Sequence, residues 1–540
     1  MSENHTEETA VSGRRQVMQA AGLVGAAFLV SRVVGLGRDI VAKYYLALSV
    51  QAAAFDAAQQ FPNFIFAVVA GGAIGSAFIP TFSAYFARDD EPGAWRLFSA
   101  IVNLTFIVTL LASLFTFIFA PALTRLFLQE SIIDHPELFS LTVRLMRVML
   151  LTPMIFSVSG VIMGTLNARQ HFLLPALAPI VYNLGIIAGA VLWPADLGDG
   201  KAMGMAVGTV IGACGHLLVQ LPGLRWKGAR YTPLFTLRDA GVQQVLKLMA
   251  PRVLGLSFSY LNPLAMVFLA GRIGPASISA VTLASRVMMM PQGILGQAMG
   301  TATFPTLAAL AARNALDEMR QILTDSLRTL LFLGLPATAL LITLGKPVIA
   351  ILFERGDFTA ADTALVAAAL AFYAVGLIAL LSLEVGTRFY ALNDTATPVL
   401  AGAVQIALMF VFGYFLSEWI FPALGWLSLG GLVLGYSISG FMEVGVLLWL
   451  LKRKNGAVKR TFPSQRHLAY GIGNTCYGHC QLGSSRLLCS IKHFVAVNLG
   501  WFSWRCRLFW PQLRSPSQRN SLALANHTTR LATLHLILKH

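Results

Sequence analysis

Long apolar runs recur along the chain from residue 17 to residue 451, parted by short polar stretches. At 1.5 Å per residue, a helix needs about 20 residues to cross the hydrocarbon of a bilayer. Twelve runs meet that need: 17–45, 53–86, 97–121, 138–165, 173–193, 202–222, 250–270, 278–311, 326–345, 363–391, 397–416 and 426–451. In hydrocarbon every backbone N–H and C=O must be satisfied internally, so the pattern predicts helices and excludes open sheets. A β-barrel would show alternating segments of roughly ten residues, whereas these runs are longer and continuous. The shorter stretch Leu234–Leu248 is mixed in polarity and predicts an interfacial helix leading into the seventh span.

The polar stretches carry the orientation. With the N-terminus placed inside, nineteen Lys and Arg fall in inside segments. Only Arg125, Lys201, Arg272, Lys346 and Arg355 fall outside. This positive-inside bias predicts a cytoplasmic N-terminus and supports the even number of spans. Residues 1–16 are polar, and the apolar stretch after them itself contains charges, which predicts a retained first span and not a cleaved signal.

The chain also resembles itself at an offset of about 225 residues. The fourteen residues from Gly75 to Arg88 align with those from Gly300 to Arg313, with seven identities. Pro121–Phe127 echoes Pro347–Phe353, and Leu166-Asn167 echoes Leu392-Asn393. Three matches in order predict two lobes of six spans each. Six is even, so the lobes run parallel, related by an axis along the membrane normal. Such repeats are typical of transporters that hold substrate between the lobes near the midplane.

Composition agrees. Of the 540 residues, 56% are hydrophobic and 12% charged, against about 25% charged in a soluble domain, and the mean hydropathy is +0.68. The formal charge of +16 would suggest nucleic acid on a soluble protein. Here it reads as basic loops facing anionic lipid.

Charges inside the spans are the candidate chemistry, because each costs about 2.5–3.5 kcal/mol on insertion scales. Arg32, Arg38 and Asp39 lie in the first span and Arg286 in the eighth. Gly35 and Gly37 between the first two arginines permit unwinding or close helix approach. Arginines on both lobes would line a central cavity, and guanidinium suits phosphate through bidentate hydrogen bonds. The alternatives are that Arg38 pairs with Asp39 or a helix end and that Arg32 snorkels. Asp39 reads as an orienting partner. Asp56, Glu384, Asp394 and Glu443 are candidates for orienting an arginine or for holding a coupling cation or proton. Arg144 and Arg147 read as snorkelling near a helix end, and His171 and His216 as isolated. No nucleotide loop, zinc-binding helix or nucleophile elbow stands out, so no catalytic residue and no metal site is expected.

The first-span segment Ser31-Arg32-Val33-Val34-Gly35-Leu36-Gly37-Arg38-Asp39 resembles the signature of the MurJ/MviN family, the lipid II flippases of bacterial cell-wall synthesis. Phe61-Pro62-Asn63, Ala77-Phe78-Ile79-Pro80, Leu174-Pro175-Ala176-Leu177-Ala178-Pro179 and Gln220-Leu221-Pro222 are similar to family segments as well. So are the stretches from Leu352 to Thr359 and from Phe389 to Pro398. The resemblance covers about residues 17–452. It implies the multidrug/oligosaccharidyl-lipid/polysaccharide exporter fold, with two further C-terminal helices that would make fourteen. It implies that Arg32, Arg38 and Arg286 engage the lipid's pyrophosphate and that Ser279 occupies a cavity position. It implies coupling to Na+, H+ or membrane potential without a resident cofactor. Where the family usually has an arginine and then Glu-Gly in the second span, this chain has Phe64 through Gly72 without a charge. Glu384 stands where a base is expected.

From Thr461 to His540 the character changes. The segment has no Asp or Glu, nine Lys or Arg, six of the ten His and four of the five Cys. A slip of reading frame near residues 459–466 would explain it; a genuine basic tail is the alternative. The chain therefore reads as five parts. These are a cytoplasmic segment (1–16), a six-helix lobe (17–225), a cytoplasmic linker (226–249), a second six-helix lobe (250–452) and a basic tail (453–540). The expected activity is flipping of lipid II from the inner to the outer leaflet of the bacterial inner membrane by alternating access, without covalent chemistry. The expected partners are that lipid and the bilayer, with no nucleic acid. The protein is expected to be monomeric, with association with the cell-wall synthesis machinery left open. An exporter of another polyprenyl-linked oligosaccharide or of a drug is the first rival, and a drug exporter would call for acidic cavity residues. A membrane-embedded transferase would need a carboxylate pair at a membrane face. A non-transporting scaffold of cell-wall synthesis would tolerate loss of the arginines.

Overall fold

The structure is a computed structural model, and it describes residues 25–455 except 28, 72–76, 314, 384–393 and 395. Glu384, residues 1–16 and the tail beyond 455 lie outside the described residues. Helix α1 is described from 29 to 46. Then come α2 (Val50–Ala58), α3 (Gln60–Phe66), α4 (Ile79–Phe86), α5 (Glu91–Asp134), α6 (Pro136–Met149), α7 (Leu151–Ala168), α8 (Leu173–Leu192), α9 (Gly200–Leu218) and α10 (Leu221–Trp226). The second half holds α11 (Ala240–Ile273), α12 (Pro275–Ala312), α13 (Leu316–Phe353), α14 (Ala360–Ser382), α15 (Ala396–Phe415) and α16 (Ser428–Asn455).

Nine helical segments among the described residues are long and apolar enough to cross a membrane. They coincide with nine of the twelve expected spans, and the other three depart for separate reasons. The start of the first span lies outside the described residues. The expected second span is not one helix. Pro62 has no N–H for the carbonyl of Ala58, so the helix breaks at Gln59 and restarts as α3. It then loosens into a π-helical turn at Ala67–Gly71. The seventh span and its expected interfacial helix are one continuous helix, α11, whose apolar part is only Tyr260–Ile273. Asp39 apart, the aspartate that shapes this region is Asp239. Its Oδ1 accepts from the N–H groups of Gly241 and Val242 and starts α11 at Ala240. The residues before it lie against α5, where Asn103 Nδ2 donates to the Leu234 carbonyl at 2.8 Å and Tyr231 donates to Asn103 Oδ1 at 2.6 Å.

Burial shows which faces meet lipid. Only 22% of the most apolar stretch of α5 and 17% of that of α13 is buried inside the protein. Leu111, Phe115 and Ile118 are among the exposed side chains of α5. Helices so apolar and so bare require hydrocarbon around them. Arg144 does not snorkel, as its guanidinium is held by Asp199 at 2.5 and 2.6 Å. Arg147 lies over the Phe117 ring, 4.8 Å from its centre.

The repeat is visible in packing. Pro121 and Pro347 both sit inside long helices, α5 and α13. Phe82 of α4 packs with Trp95 of α5, and its counterpart Leu307 of α12 packs with Met319 of α13. One large apolar core joins the two halves, with Ala53 and Phe55 of α2 beside Ile278 and Val281 of α12. At the end that holds the α1–α2 turn, three polar contacts tie the halves. Arg272 pairs with Glu130 at 2.7 Å, Asp357 donates its N–H to the Tyr44 carbonyl at 3.0 Å, and Ser131 donates to the Gly271 carbonyl.

The tightest helix pair is α8 with α9. A Cβ on Gly189 would lie 2.1 Å from the Gly204 carbonyl oxygen, and one on Gly185 would lie 2.4 Å from Gly212 Cα. Backbones at that distance exclude any side chain. Gly189→Leu is therefore expected to destabilise the protein by at least the ~1–3 kcal/mol of ordinary overpacking. Thermal unfolding in detergent, followed by size-exclusion chromatography, checks this; an unchanged melting temperature would contradict the packing.

Candidate functional site

The charged side chains of the first half converge because helical spacing puts them on one face. Arg32, Asp39 and Lys43 of α1 are separated by seven and four residues, two turns and one. On α12, Ser279, Arg286 and Gly293 are likewise seven apart. The two helices face each other in opposite directions. Arg286 Nη1 bonds Asp39 Oδ1 at 2.7 Å, and a Cβ on Gly293 would lie 2.5 Å from Arg32 Nη1. Only glycine leaves room for the Arg32 guanidinium there.

Around that contact lies a buried ionic cluster. Asp39 is shared by Arg286 and by Arg38, whose Nη2 and Nε lie at 2.8 and 3.1 Å. Arg38 Nη1 also donates to Asn183 Oδ1 of α8 at 3.0 Å, and Asn183 is oriented by donating to the Pro179 carbonyl at 2.9 Å. Asp56 of α2 takes Lys43 at 3.2 Å on one oxygen and Arg286 at 3.5 Å on the other. Ser279 donates to Asp56 Oδ2 at 3.0 Å. Gln59, at the break between α2 and α3, accepts from Arg286 Nη2 at 3.5 Å.

The structure thus brings together Arg38, Asp39, Asp56, Ser279 and Arg286, with Arg32 two helical turns away along the same seam. Sequence reasoning missed Lys43, Gln59 and Asn183. Lys43 was legible as a charge one turn beyond Asp39 in the same span; the other two carry no sequence signal apart from polarity. Asp394 lies elsewhere, capping α15 by accepting from the Thr397 N–H and hydroxyl. Glu443 lines a separate cavity in the second half. His216 is not isolated, because its Nδ1 is 2.7 Å from Ser159 Oγ in a buried network with Gln220. Among the described residues no group of His, Cys, Asp and Glu forms a metal site.

Exposure divides the cluster. The Lys43 and Asp56 side chains are 6% and 4% exposed, whereas those of Arg38 and Arg286 keep 23% and 27%. The carboxylates are at the back and the guanidinium edges at the front. Three cations, Arg38, Lys43 and Arg286, face two carboxylates, Asp39 and Asp56, so the cluster keeps one excess positive charge. The void among these residues is about 10 Å³, room for about one water. An anion larger than water enters only if α1, α2 and α12 separate.

Removing one member of the deepest pair is costly because the other is left charged and unpaired, about 3–5 kcal/mol. Lys43→Met and Asp56→Asn are each expected to lower the melting temperature, and the double variant to be milder than the sum of the two. A double-mutant thermal cycle checks this; strict additivity would show that the pair does not interact.

Comparison with known proteins follows the same lines. The family model described as "Lipid II flippase MurJ" matches residues 42–496. The chain is 29% identical over 485 residues to "Lipid II flippase MurJ" of Burkholderia cenocepacia, covering 89% of this chain and 90% of that protein. Among solved structures it superposes on "Lipid II flippase MurJ, inward closed conformation" with a TM-score of 0.68 at 24% identity, over 90% of this chain and 99% of that one. It also superposes on an inward-facing multidrug resistance MATE family transporter of the MOP superfamily with a TM-score of 0.66 at 16% identity, over 81% and 100% of the two chains.

Proposed function

The chain belongs to the MurJ lipid II flippase family, and from that membership we propose that it carries lipid II from the cytoplasmic to the outer leaflet, its pyrophosphate held between the two halves by Arg38, Arg286 and Arg32. The family is one of multi-pass bacterial membrane transporters of peptidoglycan synthesis, not of enzymes. The finer architecture is part of the proposal: twelve spans in two parallel six-helix lobes, an inner-membrane location and a cytoplasmic N-terminus. The loop-charge bias and the packing of the repeat support it.

One observation carries the reading. The cluster between the halves is cationic by one charge, with its two guanidinium groups at the exposed edge. Pyrophosphate is the ligand such a pair binds best, because each guanidinium can donate two parallel hydrogen bonds to phosphate oxygens. In the closed state Asp39 and Asp56 occupy those donors. Substrate entry then exchanges carboxylate partners for phosphate oxygens, which unfastens Arg286 of the second half from the first and frees the halves to rock. Ser279 has a supporting part, fixing Asp56 by its hydroxyl.

Hydrogen bonds to charged groups contribute about 1.5–3 kcal/mol each, so losing one arginine costs about ten- to a hundredfold in substrate affinity. Arg286→Ala and Arg38→Ala are expected to slow flipping of fluorescent lipid II by purified protein in liposomes to that extent. They are also expected to fail in a strain depleted of its own flippase. Wild-type rates in both variants would sink the arginine model and favour a scaffold.

A further inference from the structure

The second half encloses a cavity of about 450 Å³. It lies behind the ionic cluster: Gln60 and Ser285 line it, and their chain neighbours Gln59 and Arg286 belong to the cluster. Its walls are otherwise largely apolar, with Glu443 of α16 as the one carboxylate among the described residues that line it.

The polar atoms of this cavity are unbalanced. Thr282, Ser285 and Ser437 have each given their hydroxyl proton to a backbone carbonyl. Gln60 donates its amide to the Asp56 carbonyl at 2.9 Å. Asn262 donates to Gln405 Oε1 at 3.0 Å, and Gln405 donates to Ser439 Oγ at 3.0 Å. That chain turns the Asn262 carbonyl oxygen outward, where it is buried and accepts no hydrogen bond. Glu443 has neither ion pair nor hydrogen bond among the described residues. The amides of Gln60, Asn262 and Gln405 each keep a second N–H, but the only charge among the described lining residues is that of Glu443, and Glu443 and the Asn262 carbonyl oxygen are acceptors left without a donor.

The complement of such a space is a cation with several N–H donors. An ammonium group supplies three and a positive charge, and tyrosine rings add cation–π attraction. The volume leaves room for much more than a bare ion: it is the share of about fifteen waters and lies in the range of organic ligand pockets, ~300–1,000 Å³. An unpaired carboxylate within a membrane span is also costly, and an arriving ammonium relieves that cost.

We propose that this cavity is a subsite for an ammonium group of the transported molecule, with Glu443 as its counter-charge and Asn262 as a second acceptor. The inference rests on the flippase reading, since peptidoglycan precursors carry a pyrophosphate and, on their peptide, amino groups. The arginines take the anionic part and the adjoining cavity takes the cationic part, so the two halves together read a zwitterion.

The test compares lipid II with free peptide amines against the same lipid N-acetylated, binding to the full-length protein in nanodiscs. Wild type is expected to bind the free-amine lipid about tenfold more tightly. Glu443→Gln, which keeps shape and removes charge, is expected to bind both with the weaker affinity, and Glu443→Asp to recover part of the preference. Ethylammonium, which carries three N–H donors, is expected to compete with the free-amine lipid in wild type, and sodium at equal ionic strength is not. The proposal is overturned if acetylation changes nothing in wild type, if Glu443→Gln still discriminates, or if sodium alone competes. If both lipids bind equally and Arg286→Ala weakens both, only the subsite falls. If neither lipid binds, the flippase reading falls with it.

Discussion

A carboxylate withdrawn from water must find a cation, and Asp39 finds two, one from each half of the chain. Arg38 comes from its own helix and Arg286 from α12, at 2.8 and 2.7 Å. Much else follows from that sharing. Asp56 completes the coordination of Arg286, Lys43 neutralises Asp56, and Ser279 and Asn183 hold the flanks. Because Coulomb attraction is strong where water is scarce, the cluster fastens the halves far more firmly than an equal number of surface pairs would.

The same physics makes the fastening exchangeable. A buried ion pair gains little over an alternative that satisfies the same charges, because desolvation consumes much of the attraction. On the proposed reading, a phosphate group arriving at the guanidinium edges takes up Arg38 and Arg286 in place of the carboxylates. Asp56 keeps Lys43 and Ser279 through the exchange, whereas Asp39 must share its two arginines with the phosphate. The excess positive charge of the cluster favours the incoming anion. On the proposed reading, closure and substrate recognition are two uses of one set of donors.

The sequence shows the arginines plainly for the reason that makes them expensive: charges in apolar runs stand out. It also shows the repeat, and the nine long spans whose length is set by the bilayer. It does not show the break at Gln59, although Pro62 is the visible cause, because hydrophobic periodicity continues across it. It conceals Gln59 and Asn183, since an amide gains a role only from what tertiary packing places opposite it. Glu443 is legible as a residue, but the cavity around it exists only when α3, α11, α12, α14, α15 and α16 assemble.

The stretch of the second span from Phe64 to Gly72 carries no charge. Where the resemblance leads one to expect an arginine and an acid, the chain packs apolar side chains: Ile65 and Ala67 are buried, and Phe66 lies against Phe156 with ring centres 5.3 Å apart. Without an arginine there, the proposed anion recognition falls on α1 and α12, and Arg286 is the one guanidinium that the described residues of the second half contribute to the cluster. An anionic headgroup held by so few donors needs a further hold to be selected from the many anionic lipids around it. The cavity behind Ser285 lies beside that cluster and holds a carboxylate where the cluster holds guanidinium groups. On the proposed reading, opposite charge at adjoining sites would reject a simple anionic phospholipid, which has nothing to place beside Glu443, by leaving the carboxylate unpaired. Selectivity then comes from what the wrong lipid cannot satisfy as much as from what the right one binds.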